Sequence, residues 1–431
     1  MDDPQVLERM RADWNRRAGE DAHYFVAFGR REQDEEEFFA TAADVVRKLE
    51  SNLERLRARE AALEIGCGPG RLMRPMSRHF GEIHGVDVSD EMIRLARERL
   101  RDVPHAHPRH SSGSDLAAFP AGKFDYVYSY AVFQHIPSRE VVFGYLREAR
   151  RVLKTGGILH CQINGLPASA RHYDTWNGVR IVPEEIREFA RANDFQLLEL
   201  EQIWTQYMWI ACRKMPTGWT AGLAAKVSEP GAAIRNISNA LTGEGAAPST
   251  GPLAALSLWI ENLSTECDLN HLSVTADGRA CRGMYVGEPA RDGVSQVNVA
   301  LPEGIRTGLV PVEVAWLGRP ICAPKAARIV PAGPMVPRIA SVTDGVDLLA
   351  AGRVSSGIVK VGLLEVAEPG GFRATVDGLA VREIEEFCVD PMLRRYEFNF
   401  KLPAGIGRGP HELRMALGRR EFAPLAIEVA C

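Results

Sequence analysis

The chain has 431 residues, of which 45% are hydrophobic and 25% are charged, and its formal net charge is −4 at pH 7. This length predicts more than one domain, and this composition is that of a globular protein rather than a disordered or fibrous one. The small negative net charge provides no overall attraction for phosphate groups, so we expect no nucleic-acid partner.

The N-terminal stretch MDDPQVLERMRADW is acidic and amphipathic and lacks the apolar core of a signal peptide. No apolar run approaches the roughly 20 residues that a membrane helix needs, so we expect a cytoplasmic protein without membrane contact. The eight cysteines are spread along the chain without a CxxC pair, which predicts reduced thiols and no metal site. Cys267 and Cys281 would pair only in an oxidising compartment.

The sequence begins with two helical stretches and then changes rhythm. PQVLERMRADWNRRA and EEEFFATAADVVRKLESNLERL repeat apolar residues at every third or fourth position. From residue 61, the short apolar runs AALEIG, EIHGVDV, FDYVYSY and GGILHCQI alternate with helical stretches. Such alternation requires right-handed crossovers and a parallel sheet with helices on both faces. We therefore predict a doubly wound, Rossmann-like α/β domain over residues 1–215.

Composition changes after residue 215. Residues 216–252 include GEGAAPSTGP and lack periodicity, which predicts a linker. Beyond it, TADGRACR at 275 recurs as TVDGLAVR at 375, VNVALPEGI at 297 as FNFKLPAGI at 398, and WLGRPICAP at 316 as ALGRREFAP at 416. Three blocks repeated in one order predict a tandem duplication. The period fits a small β-sandwich, so residues 253–336 and 337–431 are expected to form two modules that resemble bacterial Ig-like repeats.

The stretch LEIGCGPGRL at residues 63–72 places three glycines within five positions after a predicted strand. Glycine lets the backbone turn tightly and approach a ligand at the carboxyl edge of a parallel sheet. A nucleoside triphosphate would need GxxxxGK[ST], which Arg71 and Leu72 do not complete. A dinucleotide would need GxGxxG, and Arg71 replaces its last glycine, so NAD is a disfavoured alternative.

S-adenosylmethionine is a third ligand for such a loop, because it has no phosphate and needs only close backbone contact and an anchor for its ribose. Asp87, in IHGVDVSDEM, lies 21 residues after Gly66 at the end of the next predicted strand. A carboxylate there can accept hydrogen bonds from both ribose hydroxyls. NAD enzymes place an acid at a similar spacing, so Asp87 alone does not distinguish the two cofactors.

Five pieces in order resemble the class I S-adenosylmethionine-dependent methyltransferases over about residues 10–215: LEIGCGPGRL, GVDVSDEMIRLARERL, SGSDL, FDYVYSYAVFQHIP and LREARRVLKTGGIL. The resemblance implies S-adenosyl-L-methionine as cofactor. It implies that Gly66, Cys67 and Gly68 contact the methionine portion and that Asp87 binds the ribose. Val88 and Met92 would flank the adenine, and Ser114, Asp115 and Leu116 would contact its amino edge. Ser129 and Tyr130 would line the pocket near the methyl group. Ser114 and Asp115 compete equally for the adenine edge, since SGSD is also ordinary turn chemistry.

Methyl transfer from a sulfonium is an in-line displacement with a neutral leaving group, so alignment is the main task of the protein. His135, in FQHIP, is the candidate base if the acceptor arrives protonated; alternatively its ring anchors the loop. Trp14 and Tyr24 are expected in a helical lid, and His172 and Tyr173, in ARHYDTWNG, in an acceptor loop. The alternatives are ordinary packing for the lid aromatics and a surface loop without chemistry for the others.

These features predict a methyltransferase that acts on a hydroxyl, amine or carboxylate of a small molecule or glycan. SYAVFQ stands where an NPPY-type tetrapeptide would indicate an amide or exocyclic nitrogen target. The first alternative is a binding or assembly protein whose sandwiches contact protein or glycan and whose methyltransferase-like domain is a scaffold. The intact glycine loop and Asp87 argue against it. The second alternative is an NAD-dependent oxidoreductase.

Overall fold

The computed structural model describes residues 4–27, 34–167, 173–223, 231–333, 335–346, 351–390 and 394–430. The chain divides into two compact units. The first comprises Met1–Glu20 and Ala42–Ala332, and the second comprises Asp21–Thr41 and Gly333–Cys431. The hydrophobic core of the second unit includes Val359, Val361, Phe398 and Leu413.

The helices lie almost entirely in the first half of the chain. They are α1 (Pro4–Ala27), α2 (Glu35–Ala40), α3 (Ala43–Glu50), α4 (Met73–Met76), α5 (Asp90–Arg99), α6 (Arg139–Val152), α7 (Pro183–Ala192) and α8 (Trp219–Leu223). Short 3-10 turns occur at Leu53–Arg55, Ser77–His79, Phe133–His135 and Pro369–Gly371.

Helix α1 is interrupted at Asp21, whose φ of −167° and ψ of 90° are not helical. The Asp21 carboxylate accepts a hydrogen bond from the backbone N–H of Tyr24 at 3.0 Å, which starts a new helical turn. The boundary between the two units falls at this residue. The predicted domain over residues 1–215 is therefore divided, because residues 21–41 belong to the second unit.

Seven strands form the α/β region of the first unit: β1 (Ala61–Ile65), β2 (Glu82–Asp87), β3 (Ala106–His110), β4 (Phe124–Ser129), β5 (Leu153–Ile163), β6 (Phe195–Glu201) and β7 (Met208–Lys214). Their order in the sheet is β3-β2-β1-β4-β5-β7-β6. Strands β1 to β5 pair in parallel, and β7 is antiparallel to both β5 and β6. The prediction of a doubly wound α/β fold is confirmed for this region.

Strand β1 lies at the centre of this region and is buried over all five residues. It pairs with β2 on one side and with β4 on the other, so the direction of winding changes here. Ligands bind open α/β sheets at the carboxyl end of the strands at such a switch point. The loop that follows β1 is therefore placed where a ligand site is expected.

Ten further strands complete the first unit: β8 (Ala233–Asn239), β9 (Ala246–Pro248), β10 (Ala255–Glu261), β11 (Leu272–Ala276), β12 (Arg279–Ala280), β13 (Arg282–Val286), β14 (Val294–Ala300), β15 (Gly308–Trp316), β16 (Arg319–Pro320) and β17 (Lys325–Val330). We call residues 233–330 the first β region. One sheet has the order β12-β11-β15-β17-β9, with β16 beside β15. The other strands, in the order β13-β14-β10-β8, continue the α/β sheet through the pairing of β13 with β6.

The structure corrects the linker expected over residues 216–252, since α8, β8 and β9 lie within that range. Strand β8 pairs with β10, and β9 pairs with β17, which is about 80 residues away in sequence. Both strands are stabilised by distant partners. The two isoleucines of β8 (AIRNISN) are three positions apart and β9 (AAP) has three residues, so neither shows the alternation that predicts a strand. Strand β8 also extends the first β region to the N-terminal side of the predicted start at residue 253.

The second unit contains β18 (Arg338–Asp344), β19 (Arg353–Val354), β20 (Ile358–Leu364), β21 (Phe372–Val376), β22 (Leu379–Ala380), β23 (Glu385–Asp390), β24 (Arg395–Lys401), β25 (Gly409–Leu417), β26 (Arg420–Glu421) and β27 (Leu425–Val429). We call residues 338–429 the second β region. Its sheets have the orders β18-β20-β24-β23 and β19-β27-β25-β21-β22, with β26 beside β25. Strand for strand, both orders match those of the first β region.

No helix among the described residues is long and apolar enough to cross a membrane. The seven cysteines of the described ranges, including Cys267 and Cys281, carry free thiols.

Candidate active site

The loop after β1 turns through three glycines in the left-handed region of φ. Gly66, Gly68 and Gly70 have φ values of 71°, 49° and 85°. A Cβ atom on Gly66 would lie 2.3 Å from Cγ2 of Val132, which belongs to the loop after β4. Glycine is therefore required at position 66 by the close approach of the protein's own chain at the switch point.

Cys67 is a buried part of this loop. A Cβ atom on Gly85 in β2 would lie 2.7 Å from Cβ of Cys67 and 2.4 Å from Sδ of Met73. The Cys67 side chain therefore packs tightly against β2. Burial raises the pKa of the Cys67 thiol, and the nearby Asp87 acts in the same direction. Cys67 is therefore protonated and is a packing residue rather than a nucleophile.

Asp87 ends β2 beside the glycine loop. Its Oδ2 accepts a hydrogen bond from the N–H of Gly68 at 2.9 Å, and its Oδ1 accepts one from the N–H of Ser89, also at 2.9 Å. Burial raises the pKa of Asp87, and these N–H groups oppose the shift. Each carboxylate oxygen still has capacity for a further hydrogen bond, which is the geometry that a pair of ribose hydroxyls needs.

Glu64, which the sequence analysis missed, is a second acid at this edge. It lies in β1, is only 3% exposed and accepts a hydrogen bond from the Tyr128 hydroxyl at 3.0 Å. Burial raises the pKa of Glu64 to about 8, the charge of Asp87 adds to the rise, and the buried Arg71 opposes it. A charged residue inside the apolar run AALEI was the sequence signal for this site.

The loop after β3 is held by its own polar groups. Asp115 accepts hydrogen bonds from the Ser112 hydroxyl and the Ala117 N–H, both at 2.9 Å. Leu116 is buried in the core, and its N–H donates to Glu148 at 3.2 Å. The Asp115 carboxylate thus makes turn contacts, whereas the partly exposed Ser114 uses its backbone N–H toward Ser112 at 3.3 Å.

Val88 and Met92 follow Asp87 on the other side of this loop. Val88 packs against the backbone of Gly113, where a Cβ atom would lie 2.9 Å from Cγ2 of Val88. Met92 is buried in the first turn of α5, and its N–H donates to the hydroxyl of the helix-capping Ser89 at 3.1 Å. Both residues are therefore held close to Asp87 by the start of this helix.

The end of β4 lies next to β1 at the same edge of the sheet. The buried Ser129 donates its hydroxyl hydrogen bond to the carbonyl of Ile65 at 2.8 Å, which joins the ends of β4 and β1. The Tyr130 ring stacks on Trp209 with 5.8 Å between ring centroids. Ala131 has a φ of 56°, an unfavourable value for a residue with a side chain. Such local strain is typical of ligand sites.

The first part of α1 crosses the ends of these strands. Arg11 forms an ion pair with Asp90 at 2.7 Å. The side-chain oxygen of Asn15 accepts hydrogen bonds from the Ser89 hydroxyl at 2.8 Å and the Glu91 N–H at 3.2 Å. The helix is thus fixed to the residues directly after Asp87, at the edge where the candidate site lies.

A buried arginine attaches the same helix to the loop after β5. Arg17 donates hydrogen bonds to the carbonyl and the hydroxyl of Thr175, both at 3.0 Å, and the Thr175 hydroxyl donates to Asp13 at 2.6 Å. The Arg17 guanidinium carbon lies 4.8 Å from the centre of the Trp14 ring and 5.3 Å from that of Trp176. Sequence analysis did not identify Arg17, Thr175 or Trp176.

His135 faces this cluster. It is 6% exposed, its ring meets Trp14 edge to face at 5.5 Å between centroids, and the Trp176 ring lies 6.0 Å away. Burial lowers the pKa of His135 to about 4, and the positive charge of Arg17 acts in the same direction. The imidazole is therefore neutral at pH 7, and a group with this pKa is a weak general base.

The remaining predicted site residues have different positions. The Tyr24 hydroxyl donates to the carbonyl of Val346 at 2.8 Å, and both residues belong to the second unit because the first helical run ends at Asp21. Tyr173 packs, partly buried, against the core of the first unit. His172 lies outside the described residues. Among the residues predicted on the acceptor side of the site, Trp14 and His135 are in contact.

A family described as a methyltransferase domain matches residues 63–161, from β1 into β5. Phosphoethanolamine N-methyltransferase 2 of Caenorhabditis elegans is 36% identical over 100 residues, which are 23% of this chain and 22% of that protein. A ubiquinone biosynthesis O-methyltransferase of Xanthomonas oryzae is 32% identical over 109 residues, 25% of this chain and 44% of that protein. Trans-aconitate 2-methyltransferase of Afipia carboxidovorans is 36% identical over 121 residues, 27% of this chain and 43% of that protein. The chain thus spans less than half the length of these relatives.

Two solved structures are also similar to this chain. A DhpI–SAH complex has a TM-score of 0.36 and 18% identity, and the match covers 49% of this chain and 98% of that one. Magnesium protoporphyrin IX methyltransferase from Synechocystis, with bound SAH, has a TM-score of 0.36 and 15% identity. The match covers 47% of this chain and 97% of that one.

Proposed function

We propose that the chain is an S-adenosylmethionine-dependent methyltransferase that acts on a hydroxyl, amine or carboxylate of a small-molecule or glycan acceptor. The observation that carries this proposal is the pair of acids, Glu64 and Asp87, at the carboxyl ends of β1 and β2 beside the glycine loop. Both have raised pKa values, so negative charge at this edge is costly in the protein alone.

A cationic ligand relieves that cost, whereas an anionic ligand increases it. S-adenosylmethionine carries a sulfonium and an ammonium group and no phosphate. The pyrophosphate of NAD would add negative charge at this edge, where the positive charges that act on the two acids are those of Arg71 on Glu64 and of His110 on Asp87. The charge of the site therefore supports the sulfonium cofactor over the dinucleotide.

In the proposed binding mode, Asp87 holds the ribose through the capacity left on its two oxygens. The loop Gly66, Cys67 and Gly68 would lie along the methionine portion, and Val88 and Met92 would flank the adenine. Ser114, Asp115 and Leu116 would lie at the adenine edge, where Asp115 already accepts two hydrogen bonds within its turn and the Leu116 N–H already donates to Glu148. Ser129 and Tyr130 would line the pocket near the methyl group.

When bound, the cofactor supplies an electrophilic methyl group, and the chain has to align an acceptor with it and exclude water. The contacts of Asn15 and Arg17 support a role of α1 as a lid over this edge. We assign His135 a role in orienting the methyl-accepting substrate, as a neutral imidazole that accepts a hydrogen bond from it. Its lowered pKa makes it a poor proton carrier at neutral pH.

The names of the relatives support a small-molecule acceptor: phosphoethanolamine, ubiquinone biosynthesis and trans-aconitate. For the two β regions we propose Ig-like sandwiches that contact a protein or a polymeric glycan. Their matching strand orders support a common architecture. A methyl-labelled donor incubated with cell extract would identify the acceptor, and filtration by size would separate a small molecule from a polymer.

Calorimetric titration with S-adenosylhomocysteine and with NADH tests the cofactor. We expect the wild type to bind S-adenosylhomocysteine, and Asp87→Ala to weaken binding by about 30-fold, since two charge-assisted hydrogen bonds contribute about 2 kcal/mol. Asp102→Ala is the matched control, because Asp102 is an exposed acid paired with Arg74 in the same unit. Binding of NADH but not of S-adenosylhomocysteine by the wild type would overturn the proposal.

A further inference from the structure

Three side chains with metal-binding atoms meet at the amino end of the α/β sheet, the end opposite the candidate active site. Glu82 and His84 are two positions apart on β2 and therefore project from the same face of the sheet. His107 on β3 is the register partner of His84. One donor atom from each of the three residues lies within 4.8 Å of the others.

The central residue of this group is held rigidly. His84 is only 3% exposed. Its ring centroid lies 5.4 Å from that of Phe119 and 5.5 Å from that of Phe124, and both contacts are edge to face. The His107 ring is 4.9 Å away on the adjacent strand. Fixed imidazoles on neighbouring strands are preorganised ligands, because little side-chain freedom is lost when they bind an ion.

The hydrogen bonds of His84 are incomplete without a further group. Its Nε2 lies 3.0 Å from Oε2 of Glu82 and 3.0 Å from Nζ of Lys123. One ring nitrogen can donate to the carboxylate or accept from the ammonium, but not both. Its Nδ1 is buried and has no hydrogen-bond partner within the described part of the chain. A buried polar atom in that state costs free energy.

We propose that Glu82, His84 and His107 bind a divalent transition metal ion of the zinc class. Two imidazoles and one carboxylate are a common set of protein ligands for zinc, with the fourth position left to water. A metal ion accepts the lone pairs of both imidazoles and the carboxylate charge at once. Bound at Nε2 of His84, the ion ends the competition of Glu82 and Lys123 for that nitrogen, and the ring proton then lies on Nδ1.

Lys123 is the present source of positive charge for this group, since its Nζ also lies 3.4 Å from Oε1 of Glu82. The Lys123 side chain is 25% exposed and that of Glu82 is 40% exposed, so both can rotate. The donor atoms, which lie within 4.8 Å of one another, would have to move closer around the ion, and rotation of Lys123 into solvent would make room for it. The ion and the ammonium therefore compete.

The position of the group separates it from the candidate active site. Strand β3 is at the edge of the sheet, and the ion would cross-link it to β2. Glu82 and Asp87 are at opposite ends of β2, about 17 Å apart at about 3.3 Å per residue, so the ion cannot reach the candidate active site. Strand β3 leads into the loop that contains Ser114, and the cross-link would hold the start of that strand.

The 431-residue chain, stripped with a chelator, tests the proposal by titration with Zn²⁺ and with Co²⁺ alone. We expect one tightly bound equivalent of Zn²⁺ and visible Co²⁺ absorption bands of a four-coordinate site. His107→Ala and Glu82→Gln should each weaken Zn²⁺ binding at least about 10-fold. Lys123→Ala should strengthen it, because the competing cation is removed.

His79→Ala is the matched control, since His79 forms a 2.8 Å pair with Glu50 and belongs to no group of three ligands in the described ranges. It should leave Zn²⁺ binding unchanged. His107→Gln serves as a second variant if His107→Ala is unstable. The proposal is overturned if the wild type binds no equivalent of Zn²⁺, or if the His107 variants bind it as tightly as the wild type. Neither result depends on whether the chain is a methyltransferase.

Discussion

Among the described residues, the two β regions have the same strand orders, but only the first shares a sheet with the α/β region. Strand β13 pairs with β6 through Tyr285 and Glu199, so one sheet runs from β3 to β8. In the described part of the second unit, the corresponding sheet ends at β18 and β23. Two regions with one strand order thus belong to different compact units.

One buried acid, Asp268, contacts β6 at the junction between the first β region and the α/β region. Asp268, which is fully buried, accepts hydrogen bonds from the N–H of Leu197 at 3.3 Å and from the N–H and Nδ1 of His271 at 3.0 and 2.7 Å. The residue 100 positions later, Glu368, is exposed. Sheet extension therefore depends on a specific junction and not on the strand order that both regions have.

The comparison predicts that the two units unfold separately. Phe398 is fully buried in the second unit and stacks on Phe372 with 4.1 Å between centroids. Phe398→Ala should destabilise this unit by about 4 kcal/mol. In calorimetry, we expect the transition of the second unit to move to lower temperature. The transition of the first unit, identified by its shift with S-adenosylhomocysteine, should stay in place.

Val297→Ala is the matched variant, because Val297 is the corresponding buried residue of the first β region. It should lower only the transition that the ligand shifts. A single transition that both variants lower equally would show that the units are one cooperative structure.

The junction itself is tested by Asp268→Ala. Three donors lose their buried acceptor, so we expect the first unit to lose about 3 kcal/mol of unfolding free energy in urea. Glu368→Ala, at the corresponding exposed position, should change stability by less than about 0.5 kcal/mol. Equal effects of the two substitutions would contradict the role of Asp268 at the junction.

The stability of the first unit should depend on pH through Glu64, whose pKa is raised to about 8 in the folded protein. Between its ordinary unfolded pKa and about 8, the folded state binds more protons than the unfolded state, so stability falls as pH rises. From pH 5 to 7 the first unit should lose about 2 kcal/mol relative to Glu64→Gln. Urea unfolding of both proteins at several pH values measures this, and parallel pH profiles would contradict it.

The smallest expected effect concerns the boundary at Asp21. Tyr24→Phe removes the hydrogen bond to the Val346 carbonyl and should lower the stability of the second unit by about 1 kcal/mol. The ligand-shifted transition should not move. If Tyr24→Phe instead weakens S-adenosylhomocysteine binding, Tyr24 belongs to the lid, as its position in the sequence predicted.

The sequence alone determined the features that depend on local chemistry. Alternating apolar runs and helical periods predicted the doubly wound region, and the three glycines with Asp87 marked the edge where the candidate site lies. These patterns are readable because each depends on neighbouring residues: glycine for a left-handed φ, and a charged residue where a buried strand ends.

Only the tertiary structure decided how distant segments combine. Strands β8 and β9, the junction of β6 with β13 and the transfer of residues 21–41 to the second unit all depend on pairing across long sequence separations. The group of Glu82, His84 and His107 exists because the register of β2 and β3 aligns two histidines. Register and burial arise from packing of the whole chain, and no local pattern contains them.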